Sequence, residues 1–100
     1  MVIKCTTNDT ETTVRVEGRL DTTTAPELES VLKDAGEKSD SLVLDFEELD
    51  YLSSAGLRVL LSAQKMMMQK KGMKVIHVNE TVWEILEVTG FSDVLTIEKS

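Results

Sequence analysis

The 100-residue sequence has one cysteine, Cys5, and one histidine, His77. A single cysteine excludes an intramolecular disulfide, and a lone thiol suits a reducing compartment. A single histidine leaves no His-based triad and no multi-histidine zinc site within one chain. No apolar run approaches the length of a membrane span. Met1 to Cys5 lacks the apolar stretch of a signal peptide. There is no internal repeat and no low-complexity linker. Basic residues are outnumbered 11 to 18, giving a net charge of -7 and a pI of about 4.6. An acidic surface repels nucleic acid and anionic membranes, so no nucleic acid and no membrane partner is expected. A protein with a basic patch is the better partner.

What is present is ordinary for a globular protein: 41% apolar and 29% charged residues. The length suits one domain over 1–100, expected to be cytoplasmic. A core this small leaves little room for a large buried cavity.

The pattern predicts an α/β fold. Val2 to Thr6 reads as a strand, with a turn at Thr7 to Thr10. A second strand follows, with Val14, Val16, Gly18 and Leu20 on one face and Thr13, Arg15, Glu17 and Arg19 on the other. Thr24-Ala25-Pro26-Glu27 has capping-box spacing and opens a helix carrying Leu28, Val31, Leu32 and Ala35, with Gly36 as its C-cap. Leu42-Val43-Leu44 reads as a central strand buried on both faces. After the acidic stretch Glu47 to Asp50, a second helix starts near Ser53. Leu57, Leu60, Leu61, Gln64 and Met68 line its apolar face. Met73 to Val78 forms a strand, Asn79 caps a third helix, and Gly90 closes it. Val94 to Ile97 is a final strand or tail. The expected order is β-β-α-β-α-β-α-(β), in a mixed, mostly parallel sheet of roughly four to five strands.

The informative segment joins the third strand to the second helix. Two serines and a glycine sit where a helix start offers unpaired N–H groups and a positive partial charge. A serine there is most often an N-cap. It is also a workable phosphoacceptor, because a phosphate gains from the helix start. Beside Asp50, and near Glu47 and Glu48, that phosphate would change the charge of a docking surface. If Ser53 holds the cap, Ser54 is free for modification. Gly56 costs helix propensity and would be accounted for by close approach at a contact surface.

Leu44-Asp45-Phe46, followed by Leu49-Asp50-Tyr51-Leu52-Ser53-Ser54-Ala55-Gly56-Leu57-Arg58-Val59-Leu60-Leu61, resembles the signature of the bacterial anti-sigma factor antagonists, which are STAS domains. Gly18-Arg19-Leu20-Asp21 and Thr24-Ala25-Pro26-Glu27-Leu28 resemble the family's other recurrent segment. Two motifs on the right elements make a specific match. The resemblance implies a STAS-like domain over nearly the whole chain. It implies a non-enzymatic switch whose unphosphorylated form binds an anti-sigma factor with serine kinase activity and so releases a sigma factor. Phosphorylation ends that binding, and a PP2C-type phosphatase reverses it. The matching acceptor is Ser54, with Ser53 as the alternative. Asp21 matches the family aspartate near the acceptor. Asp21, Asp50, Ser53, Ser54, Gly56 and Arg58 are the expected partner-binding residues. The sequence departs from the better-known Asp-Ser-Ser-Gly pattern: Ser53 replaces the aspartate, and Ala55 the second hydroxyl residue. Asp21 or Asp50 would then orient the acceptor.

Other readings carry less. A STAS subunit of a transporter or stress-sensing complex is the alternative function. An enzyme built on Asp45, Glu47, Glu48 and Asp50 lacks a nucleophile–base pair and a phosphate-binding loop; those carboxylates read as a charged rim. No cofactor and no metal is expected. His77 reads as structural, and Trp83 as packed. Lys65, Lys70, Lys71 and Lys74 read as a solvated helix end. Of Met66-Met67-Met68, Met68 is expected in the core and Met66 or Met67 partly outside.

Overall fold

The computed structural model describes residues 1–99. The elements are β1 (Val2–Asn8), β2 (Glu11–Leu20), α1 (Ala25–Lys38), β3 (Ser41–Asp45), β4 (Leu49–Leu52), α2 (Ser54–Met67), β5 (Met73–Val78), α3 (Glu80–Val88) and β6 (Thr96–Lys99), with a 3-10 turn at Phe91–Asp93. The sheet runs β1-β2-β3-β5-β6, and β4 pairs with the far end of β2. Only β1–β2 is antiparallel; the other pairs are parallel. The α/β order and mixed sheet agree with the sequence reading, and β4 is an additional strand.

Alternation in β2 sets the core. Val14, Val16 and Leu20 are fully buried. The register places Val14 beside Leu44 and Leu44 beside Val75, which makes one inward row. α1 packs on β2 and β3, α2 on β5, and the two helices pack on each other. Leu42, Val43 and Leu44 are all buried, as expected of a central strand.

Several expectations at the helix ends are corrected. Helix α1 runs through Gly36 to Lys38, and its C-cap is Ser39. Gly36 is instead a close-approach position, where a Cβ would overlap the Met66 methyl. The end of α1 is closed by Lys70, whose Nζ donates to the Gly36, Glu37 and Ser39 carbonyls at 2.6, 3.3 and 2.9 Å. Lys70 is exposed, as expected, and in addition caps the negative end of α1. Thr24 does occupy the N-cap of α1 but makes no side-chain cap bond. On α2, Met67 is fully buried while Met68 is 70% exposed, the reverse of the expected assignment. The buried residues of α2 are Gly56, Leu57, Val59, Leu60, Ala63 and Met67; Leu57 and Leu60 are expected there, and the face includes a glycine that a side-chain pattern does not count.

Gly56 explains that face. A Cβ there would lie 2.7 Å from Leu20 Cγ and 2.8 Å from Leu52 Cδ1. The close approach expected at a contact surface is inside the molecule. A helical glycine costs about 1 kcal/mol. Burying Leu20 and Leu52, each worth about 2 kcal/mol, outweighs it. Gly56→Ala is expected to destabilise the fold by about 1–3 kcal/mol despite its better helix propensity, read as a lower urea midpoint with unchanged slope.

Candidate functional site

Strands β2 and β4 run side by side and end together, with Leu20 opposite Leu52. The Ser53 N–H donates to the Leu20 carbonyl at 2.9 Å. The chain leaves β2 through Asp21 into α1 and leaves β4 through Ser53 into α2. Parallel pairing thus brings the Asp21 loop and the paired serines to one edge, beside two helix N-termini. β4 is held from its other side by Asn79, whose Nδ2 donates to the Leu49 carbonyl at 2.8 Å. The Asn79 Oδ1 meanwhile caps α3 through Val82 N–H.

Ser53 is the N-cap of α2, and its Oγ accepts from Gly56 N–H at 3.3 Å. Ser54 is the first helical residue and is exposed. Ser53 thus holds the cap, one of the roles expected of a serine at this helix start. Arg58 is exposed one turn along α2.

Asp21 does not face the serines through a hydrogen bond. Its Oδ1 accepts from Thr23 and Thr24 N–H at 3.0 and 3.1 Å, and its carbonyl accepts from Ala25 N–H at 2.8 Å. The Thr24 hydroxyl accepts from Asp21 N–H and donates to the Arg19 carbonyl. The hydrogen bond from Thr24 N–H, aided by those from Thr23 N–H and the Thr24 hydroxyl and by the Arg19 charge, holds the Asp21 carboxyl below the usual range. Asp21 is ionised and organises its own loop. Arg19 lies 4.0 Å from Asp21 Oδ2 and stacks 4.4 Å over the Tyr51 ring.

Asp50 is the extra residue of a bulge: Gly18 pairs with Leu49, but Arg19 pairs with Tyr51. Gly18 sits at φ 102°, a conformation that favours glycine. Asp50 is exposed between buried Leu49 and Leu52. Glu47 and Glu48 turn to Arg15, at 3.3 and 3.7 Å.

Asp45 is no free rim carboxylate. It is 9% exposed, accepts from Glu47 N–H at 3.0 Å, and lies 3.0 Å from His77 Nδ1. The Asp45 carboxylate reaches His77 from the neighbouring strand β3, so local spacing in the sequence does not reveal the pair. Burial opposes ionisation of Asp45. The bonds from Glu47 N–H and His77, with the His77 and Arg15 charges, outweigh it and hold the carboxyl below its ordinary value. Trp83 is partly buried, with Lys99 Nζ 4.6 Å from its ring centre. No group of three or more potential metal ligands occurs among the described residues. No helix there is long and apolar enough to cross a membrane.

Comparison with known proteins bears on the family and the fold. The STAS domain family model matches residues 2–100, and the chain belongs to that family. BtrV of Bordetella bronchiseptica is 36% identical over 89 residues, 85% of this chain and 75% of that protein. The anti-sigma-B factor antagonist of Staphylococcus aureus is 29% identical, over 97% of this chain and 92% of that protein. An anti-sigma factor antagonist from Mycobacterium paratuberculosis superposes with a TM-score of 0.89 at 22% identity, covering 99% of this chain and 86% of that one. The antagonist SpoIIAA in its unphosphorylated form gives 0.82 at 15%, covering 96% and 87%. These two likenesses are of fold.

Two measurements test the local chemistry. Ser53→Ala, which removes the cap, should cost about 1 kcal/mol. Ser54→Ala should stay within about 0.5 kcal/mol of wild type. Both are read from urea midpoints. The depressed Asp45 carboxyl contributes stability that is complete at neutral pH and is lost as pH falls below about 4. Asp45→Asn should therefore be less stable than wild type at pH 7, and the gap should narrow toward pH 3.

Proposed function

We propose that this STAS protein is a cytoplasmic anti-sigma factor antagonist, one domain over 1–100, that works by binding and carries out no catalysis of its own. Its partner is an anti-sigma factor with serine kinase activity. In the unphosphorylated form the antagonist holds that factor and frees a sigma factor. Phosphorylation of Ser54 ends the binding, and a PP2C-type phosphatase restores it. The names of the Bordetella bronchiseptica and Staphylococcus aureus proteins support the class of function.

The observation that carries the finer reading is the separation of duties at the start of α2. Ser53 holds the cap while Ser54 stands exposed. Phosphate can be added at Ser54 without removing the bond that starts the helix. It would add about -1.5 to -2 charges at an edge that already carries Asp21 and Asp50. Ser54 is preferred to Ser53 as acceptor for this reason. Asp21, Asp50, Ser54 and Arg58 then form the outward contact surface. Ser53 and Gly56 shape it from within.

Replacing Ser54 by phosphoserine should weaken binding to the cognate anti-sigma factor by about tenfold or more. Ser54→Ala should bind as wild type and lose its response to the kinase. Peptide mass spectrometry of protein from native cells should place phosphate on Ser54. Equal affinity of the phosphorylated and unphosphorylated forms would sink the switch.

A further inference from the structure

Phosphoserine at position 54 would have a cation of its own chain within reach. Ser54 is the first residue of α2 and Arg58 is four residues on, so the two side chains share one helical face, with Cβ atoms about 5–6 Å apart. Both residues are exposed. The ion pairs among the described residues engage Lys4, Arg15, Arg19, Lys38, Lys74 and His77, and none includes Arg58. Arg19, the other guanidinium at this edge, is already held between Asp21 and Tyr51. The remaining charges there, Asp21 on the β2–α1 loop and Asp50 on β4, are acidic and would repel a phosphate.

We propose that Arg58 is the intramolecular partner of a phosphate on Ser54, so that phosphorylation withdraws this arginine from the contact surface as well as adding negative charge. The inference rests on the Ser54 reading above. An acid placed four residues before a base is the favoured order on a helix. Guanidinium is suited to phosphate because its planar N–H groups can bond two oxygens at once. Before modification, the Ser54–Arg58 face carries one positive charge. After modification the same face carries about -0.5 to -1. The local charge of this face therefore changes sign on modification.

Phosphoserine can be installed at position 54 during translation, which removes any dependence on a kinase. Phosphorus NMR titration then reads the second ionisation of the phosphate directly. Wild type should titrate about half a pH unit below Arg58→Gln, because the guanidinium favours the dianion. Arg58→Lys, which keeps the charge, should titrate near wild type. Coincident curves for wild type and Arg58→Gln would overturn the proposal. So would an equal rise from Arg19→Gln, which would assign the phosphate to the wrong cation. Amide spectra of the variants confirm an unchanged fold, as expected for an exposed position. A protein never phosphorylated in cells would remove the Ser54 function and leave the titration result standing, so the two failures are distinguishable.

Discussion

The close contact of Gly56 with Leu20 and Leu52 is the constraint on which the candidate site depends. It seats the first turn of α2 on the paired ends of β2 and β4. Those strand ends are also where the chain turns into the Asp21 loop. One packing contact therefore fixes the helix start, the serines on it and the acidic loop beside it. The Ser53 N–H bond to the Leu20 carbonyl adds direction to a contact that is otherwise only steric. Neither feature is an independent anchor. The glycine lets the backbone come near, and the bond then sets which residue becomes the cap.

Local signals in the sequence identified most of this correctly. Alternation in β2, the apolar β3, and the caps at Ser53, Asn79 and Gly90 all follow from neighbours in the chain. The failures share a cause: each depends on residues distant in sequence. Leu49 and Leu52 are the buried residues of β4 yet are three apart, because the bulge at Asp50 breaks the period of two. Gly36 resembles a helix end locally, and only α2, distant in sequence, places the Met66 side chain against it. Lys70 caps a helix more than 30 residues away. Met67, not Met68, is buried because the buried face includes a glycine. The partner of His77 is one strand across.

Acidic groups are divided between two places with different physics. Around Arg15, the carboxylates of Glu17, Asp45 and Glu47 lie within 3.5 Å and share one guanidinium. Asp45 there is also tied to backbone and to His77, so its charge is committed to the fold. At the other place, Asp21 is satisfied by its own loop and Asp50 is exposed. An exposed ion pair contributes at most about 1 kcal/mol, so beyond the loop that Asp21 holds this second set does little for stability. Its charges are free to shape what approaches the edge. The long acidic run from Asp45 to Asp50 thus serves two purposes, and only the sheet register tells which residue serves which.

That division bears on how a switch at Ser54 would work. A conformational mechanism would need the first turn of α2 to move. Moving it would expose Leu20 and Leu52, which together contribute about 4 kcal/mol of burial. Pairing a phosphate with a cation one helical turn away is worth well under that at an exposed site. The smaller term does not drive the larger, so the turn stays seated whether or not Ser54 is modified. A signal at Ser54 would then be carried by charge on an unchanged surface. A domain with so small a core has little else to spend: its packing is needed to keep the site in place, and the surface is left to change state.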